Sequence, residues 1–189
     1  MKVVGITGGI GSGKTTVCRV FEVLGVPVFY SDYVSEKILF SPEISLVVIK
    51  KFGNDIVVNG SLDKKSLGKL VFENKEALNW LNSILHPLVR ADFSLWVKRQ
   101  SSSYVLKEAA ILFESGAYKT CDLVINVSCD VEKRIERVVK RDGRSAVEVE
   151  GIISKQWSEN KRIKHSDFTI NNFNQKLLPQ IINLHQELL

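Results

Sequence analysis

Short, nearly unbroken apolar runs separated by amphipathic stretches recur along the chain. Residues 3–6 (VVGI) read as a buried strand, and residues 14–24 place Val17, Val20, Phe21 and Leu24 on one face of a helix. Gly25 stops that helix, and PVFY at 27–30 reads as a second strand. Three further runs complete the set: YVLKEAAIL at 104–112, DLVINVS at 122–128 and DFTINN at 167–172. Strands that lack polar alternation and are separated by helices belong in a parallel sheet covered on both faces. The expected class is α/β, with three layers around a central parallel sheet.

Two stretches interrupt a minimal alternation of strand and helix. Residues 62–100 are helical in pattern, with breaks expected at Asn74 and at the pair His86-Pro87. A plain crossover between parallel strands needs only about a dozen residues, so 61–100 is read as a helical insertion. Residues 130–165, rich in lysine and arginine and without strand character, are read as a lid. That leaves 1–60 and 101–189, the lid included, as the core of a single domain over 1–189.

Composition narrows the class only a little. The chain has 189 residues, 44% of them hydrophobic and 25% charged, which suits one globular domain with a sizeable core. No run approaches the length of a membrane span, and MKVVGITGG has neither the apolar stretch nor the cleavage site of an export signal. Cys18, Cys121 and Cys129 fit no metal-ligand spacing, and an odd count suits a reducing cytoplasm better than a disulfide framework. A net charge of +5 favours an anionic ligand without choosing one, and no basic run is dense enough to read as a nucleic-acid tract. Oligomeric state is not readable from the chain.

The first strand leads into GGIGSGKT at 8–15, which satisfies the P-loop spacing G-x-x-x-x-G-K-[ST]. Glycines let several backbone N–H groups converge on one anion, and the following helix adds the positive end of its dipole. Gly9, Ile10, Gly11, Ser12, Gly13, Lys14, Thr15 and Thr16 are the expected nucleotide-binding residues. Lys14 is expected to reach the outer phosphates of ATP, and the Thr15 hydroxyl to ligate Mg²⁺. The expected fold is thus of the P-loop NTPase type, with its helical insertion and lid. No Asp has a Gly three places on, and the Asn-Lys pairs at 74 and 160 lack the following Asp, so a regulatory GTPase is disfavoured. A small-molecule kinase remains.

Asp32 ends the second strand in FYSDY, at the carboxyl edge of the expected sheet. It suits either a base for an acceptor hydroxyl or an N-cap for a helix starting near Tyr33. Arg137 and Arg141, four apart, share a helix face and suit either charge neutralisation on a transferring phosphoryl group or plain solvation. Lys133, Arg134, Lys140 and Arg144 crowd the same region. Glu114 suits either a cap for the following turn or an acceptor contact. Phe93, Trp80 and Trp96 read as core or as a stacking surface, and Asn171 and Asn172 as turn formers or neighbours of a nucleotide base.

Together these segments resemble the dephospho-CoA kinase family over nearly the whole chain. The resemblance rests on TGGIGSGKTTV at 7–17, VPVFYSD at 26–32, LNSILHPLVR at 81–90, ILFESG at 111–116, RVVKRDGRS at 137–145, Gln156 and DFTINN, in that order. It implies transfer of the γ-phosphoryl of ATP to the ribose 3′-hydroxyl of dephospho-CoA, the last step of coenzyme A synthesis. It implies Asp32 as the base, Lys14, Arg137 and Arg141 as catalytic cations, and Asp32, His86 and Glu114 on the acceptor. Three positions depart from the pattern: Tyr30 replaces a carboxylate, Glu36 a basic residue, and Ala110 a proline.

Overall fold

The computed structural model describes all 189 residues. Strand β1 (Lys2–Thr7) leads into helix α1 (Lys14–Val23) and strand β2 (Val28–Tyr30). Then come α2 (Ser31–Leu39), α3 (Pro42–Phe52), the short strands β3 (Val57–Val58) and β4 (Ser61–Leu62), α4 (Lys64–Glu73) and α5 (Lys75–Val97). The chain resumes with β5 (Tyr104–Glu108), β6 (Leu123–Ser128), α6 (Val131–Asp142), α7 (Ala146–Lys155), α8 (Glu159–Lys164), β7 (Phe168–Asn171) and α9 (Leu177–Leu188).

These elements form two compact units, Met1–Tyr30 with Gln100–Leu189, and Ser31–Arg99. The first holds a five-stranded sheet in the order β2-β5-β1-β6-β7, every pairing parallel. Val4 and Ile6 of β1, Leu106 of β5, Ile125 and Val127 of β6 and Ile170 of β7 face Val17, Cys18 and Phe21 of α1 and Ile181, Leu184 and Leu188 of α9. On the other side, Val124 packs with Ala109, Leu112, Phe113 and Trp157. Both faces are therefore covered, which is why the strands read as continuous apolar runs.

The fifth strand is shorter than its apolar run. It ends at Glu108, and residues 109–112 turn away to put Leu112 and Phe113 into the second cluster. Burial of an apolar segment does not require it to extend, so the sequence 104–112 overstates the strand.

The second unit is helical, and it begins at Ser31 rather than at 61. Ile38, Leu39 and Phe40 pack with Val48, Leu67, Leu81 and Leu85 in one cluster, which joins α2 and α3 to the later helices. Asn74 separates α4 from α5, and its side chain accepts the Ala77 N–H at 3.0 Å as an N-cap. The expected break at His86-Pro87 does not occur: α5 runs unbroken to Val97. Ala77, Leu81, Leu85 and Phe93 form a buried stripe along it, and that packing outweighs the one hydrogen bond Pro87 removes.

Candidate active site

The loop between β1 and α1 has the shape its glycines allow. Gly13 stands immediately ahead of α1 with φ 93°, and a Cβ there would collide with the Asn172 side chain. Asn172 lies just beyond β7 and donates from Nδ2 to the Ser12 carbonyl at 2.8 Å. The Lys14 ammonium donates to the Gly8 carbonyl at 3.0 Å, folding the side chain back over its own loop. Thr15 and Thr16 occupy the first turn of α1, where the N–H groups and helix dipole favour an anion.

Three side chains reach this loop from 130–165, Arg134, Arg137 and Gln156, and the two arginines among them are not the pair expected. Arg137 Nη1 donates to the Gly11 carbonyl at 3.4 Å and contacts Cys129 Sγ at 3.3 Å, and its Nη2 donates to the Asn172 carbonyl at 3.3 Å. Arg141 instead makes a bidentate pair with Asp142 at 2.6 and 2.8 Å, its side chain 64% exposed. Arg134 is the residue the sequence left in the crowd. It is 2% exposed, donates from Nε to the Ile10 carbonyl at 2.9 Å, and fills the space where a Gly9 side chain would lie. One helical turn separates it from Arg137, but on a strongly charged helix no pattern marks which cation is buried.

Behind the loop lies a buried polar network. Glu159 accepts from Asn126 Nδ2 at 2.9 Å and from Arg162 Nη2 at 2.5 Å. Burial pushes the Glu159 carboxyl up, but the hydrogen bonds from Asn126 and Arg162 hold it below its ordinary value. Arg162 also donates to the Trp157 carbonyl. Thr7 Oγ1, Ser12 Oγ, Asn126 Oδ1, Arg134 Nη2 and Arg162 Nε are buried without a protein partner.

Glu114 caps no turn of its own. One carboxylate oxygen accepts the Trp157 N–H at 2.7 Å, and the other is buried without a partner. Trp157 in turn stacks on Phe113 with rings 3° from parallel. Asn171 Oδ1 accepts the Phe173 N–H at 3.1 Å, which gives it the turn role.

Sequence reasoning missed Glu108. It closes β5 in register with Ile6 of β1 and Tyr30 of β2, and is 7% exposed. Its charge, like that of Lys14, acts on the Cys18 thiol of α1, after burial, which is the larger cause of that thiol's upward shift. The signal was present as a lone acid inside an apolar run, but reading the strand on to residue 112 concealed that it ends there. The Tyr30 phenol, displaced upward by burial first and then by nearby acidic groups, is neutral at pH 7.

In the helical unit, Asp32 lies within the first turn of α2, which starts at Ser31 and not near Tyr33. Glu36 pairs with Lys64 at 2.6 Å, on the surface. His86 lies in the middle of α5, and burial, with the charge of Arg90 second, holds its imidazole below the ordinary value. It is therefore neutral at pH 7 and offers a hydrogen bond rather than a charge. Trp80 packs edge-on to Phe52 at 5.0 Å between ring centres, and Phe93 stacks with Trp96.

No group of three or more His, Cys, Asp or Glu side chains is placed to hold a metal ion. No helix is long and apolar enough to cross a membrane.

The family model for dephospho-CoA kinase matches residues 2–177. A dephospho-CoA kinase of Idiomarina loihiensis is 36% identical over 99% of this chain and 95% of its own. A crystal structure from Thermus thermophilus superposes with a TM-score of 0.88 at 29% identity, covering 98% of this chain and 95% of that one. The solved dephospho-CoA kinase of Campylobacter jejuni gives 0.69 at 26% identity, covering 98% and 96%. With a phosphate-binding loop at its head and a match along nearly all of its length, the chain belongs to the dephospho-CoA kinase family.

Proposed function

We propose that the chain transfers the γ-phosphoryl of ATP to the ribose 3′-hydroxyl of dephospho-CoA, giving coenzyme A and ADP. The observation that carries this is the family match over residues 2–177, which includes the loop described above. Phosphoryl transfer asks for little covalent help, so its chemistry is positioning and charge stabilisation. The loop N–H groups and the first turn of α1 receive the phosphates. Lys14, released from the Gly8 carbonyl, offsets their charge, and Arg137 stands at the same loop to do so.

Asp32 serves as the group that aligns the 3′-hydroxyl and takes its proton. A neutral His86 donates or accepts a hydrogen bond to the acceptor, for which the helical insertion supplies the surface. Glu114 acts on the acceptor side by holding Trp157, and Arg141 joins only if its pairing with Asp142 opens. Thr15 would hold Mg²⁺, which when bound would supply further neutralisation of the phosphates. Mg²⁺ takes few protein ligands and keeps phosphate oxygens and water, and the Thr15 hydroxyl in the first turn of α1 is a hard oxygen donor of the kind it takes. The three free thiols suit a cytoplasmic enzyme, and the reading requires no nucleic acid and no membrane.

The test is ADP release with MgATP in the presence of dephospho-CoA, of a nucleoside panel, or of no acceptor, with products identified by mass. Dephospho-CoA gaining one phosphate at the 3′ position is the expected result. Phosphorylation of a nucleoside instead would keep the loop assignment and remove the acceptor assignment.

A further inference from the structure

Both backbone polar atoms of Ile10 are taken by side chains from far along the chain. Its N–H donates to Gln156 Oε1 at 2.9 Å, and its carbonyl accepts from Arg134 Nε at 2.9 Å.

Each holding residue is itself fixed. Arg134 lies in the first turn of α6, whose start is capped by Asp130 through the Glu132 and Lys133 N–H groups. The Arg134 guanidinium lies against the Gly9 backbone and its carbonyl against Gly11, so helix and loop touch at three consecutive loop residues. Gln156 donates from Nε2 to the Ala110 carbonyl at 3.5 Å, and its neighbour Trp157 is anchored by Glu114.

The charge of Arg134 is also unusual. It is 2% exposed, its Nη2 has no protein partner, and the Arg162 guanidinium acts on it along with the Glu159 carboxylate. Glu159 is bonded to Arg162 and not to Arg134, so the Arg134 charge lies against the loop without a bonded carboxylate. Charge in such a position acts through little solvent, and a phosphate on the loop would offset it.

We propose that Arg134 and Gln156 are positioning residues that clamp Ile10 from its two sides, fixing the loop N–H groups for the phosphates, with the Arg134 charge adding to their attraction. The inference rests on the phosphate-binding reading of the loop.

The experiment measures Kd for ADP by calorimetry, and KM for ATP and kcat, in wild type, Lys14→Ala, Arg134→Met, Arg134→Lys, Gln156→Leu and the Arg134→Met/Gln156→Leu double variant. Circular dichroism confirms folding. Each single removal raises Kd for ADP about tenfold, with KM for ATP rising more than kcat falls. The double variant falls short of the product of the two losses, because both act through Ile10. Arg134→Lys, which keeps a cation and a donor, recovers part of the affinity. Unchanged affinity in either single variant, losses that simply multiply, or a fall in kcat at constant KM would overturn the proposal. Should Arg134→Met not fold, Arg134→Lys with Gln156→Leu provides the same cycle. A wild-type protein that binds no ADP, matched by Lys14→Ala, would overturn the phosphate reading and the clamp with it. Wild-type binding beside unaltered clamp variants would overturn the clamp alone.

Discussion

Asp32 and Arg134 show how unequally residues declare themselves. Asp32 was visible in the sequence because it follows an apolar strand and stands in a segment the family shares. Its exchange for Asn keeps size and hydrogen-bonding capacity while removing the proposed base. The expected outcome is a fall in kcat of about 10²–10⁴-fold with Kd for ATP little changed, measured by steady-state kinetics and calorimetry. Equal turnover in the variant would remove Asp32 from that role. Arg134 was not visible. A cation on a charged helix looks solvated from its spacing alone, and only the packing of α6 on the loop shows that it is buried and that Arg141 is not. The loop glycines lie between these cases: the motif marks phosphate binding, but the reason for Gly13 includes an asparagine 159 positions later in the chain, at 172.

Among the elements, those that bury a regular stripe were legible, and those that end for tertiary reasons were not. Helix α1 and strands β1, β2, β6 and β7 lie within a residue or two of where their patterns put them. Strand β5 stops early because its apolar continuation is buried as a turn. Helix α5 continues through proline because the stripe from Ala77 to Phe93 spans it. Pro87 leaves the Ser83 carbonyl without its usual helical N–H. Pro87→Ala therefore stabilises the protein by about 2 kcal/mol, the helix gain less the added freedom of the unfolded chain. A higher urea midpoint at unchanged m-value is the expected result, and a lower midpoint would show that the proline packs better than the restored bond. Asn74→Ala acts in the opposite direction, costing about 1 kcal/mol through loss of the α5 cap.

At the scale of the molecule, stability depends on acid through the network behind the loop. The Glu159 carboxyl has a folded pKa below its unfolded one, so its contribution is present above about pH 4.5 and is lost as pH falls through the folded value. Glu159→Gln removes that contribution, and its urea midpoint should fall less steeply than wild type as pH drops below about 4.5. Parallel slopes for the two proteins would show that other carboxylates govern acid unfolding. The order of strands in the sheet has a different consequence, for the chain as it is made. Of the strands described, the two made earliest, β1 and β2, are not neighbours; β5 lies between them in the sheet and follows the whole segment Ser31–Arg99 in sequence. The helical unit is continuous in sequence and can complete while both strands wait unpaired. Nascent chains arrested with β5 still in the exit tunnel should thus resist protease over 31–99 and be cut readily within 1–30. Protection of the N-terminal strand should arrive only once β5 has emerged.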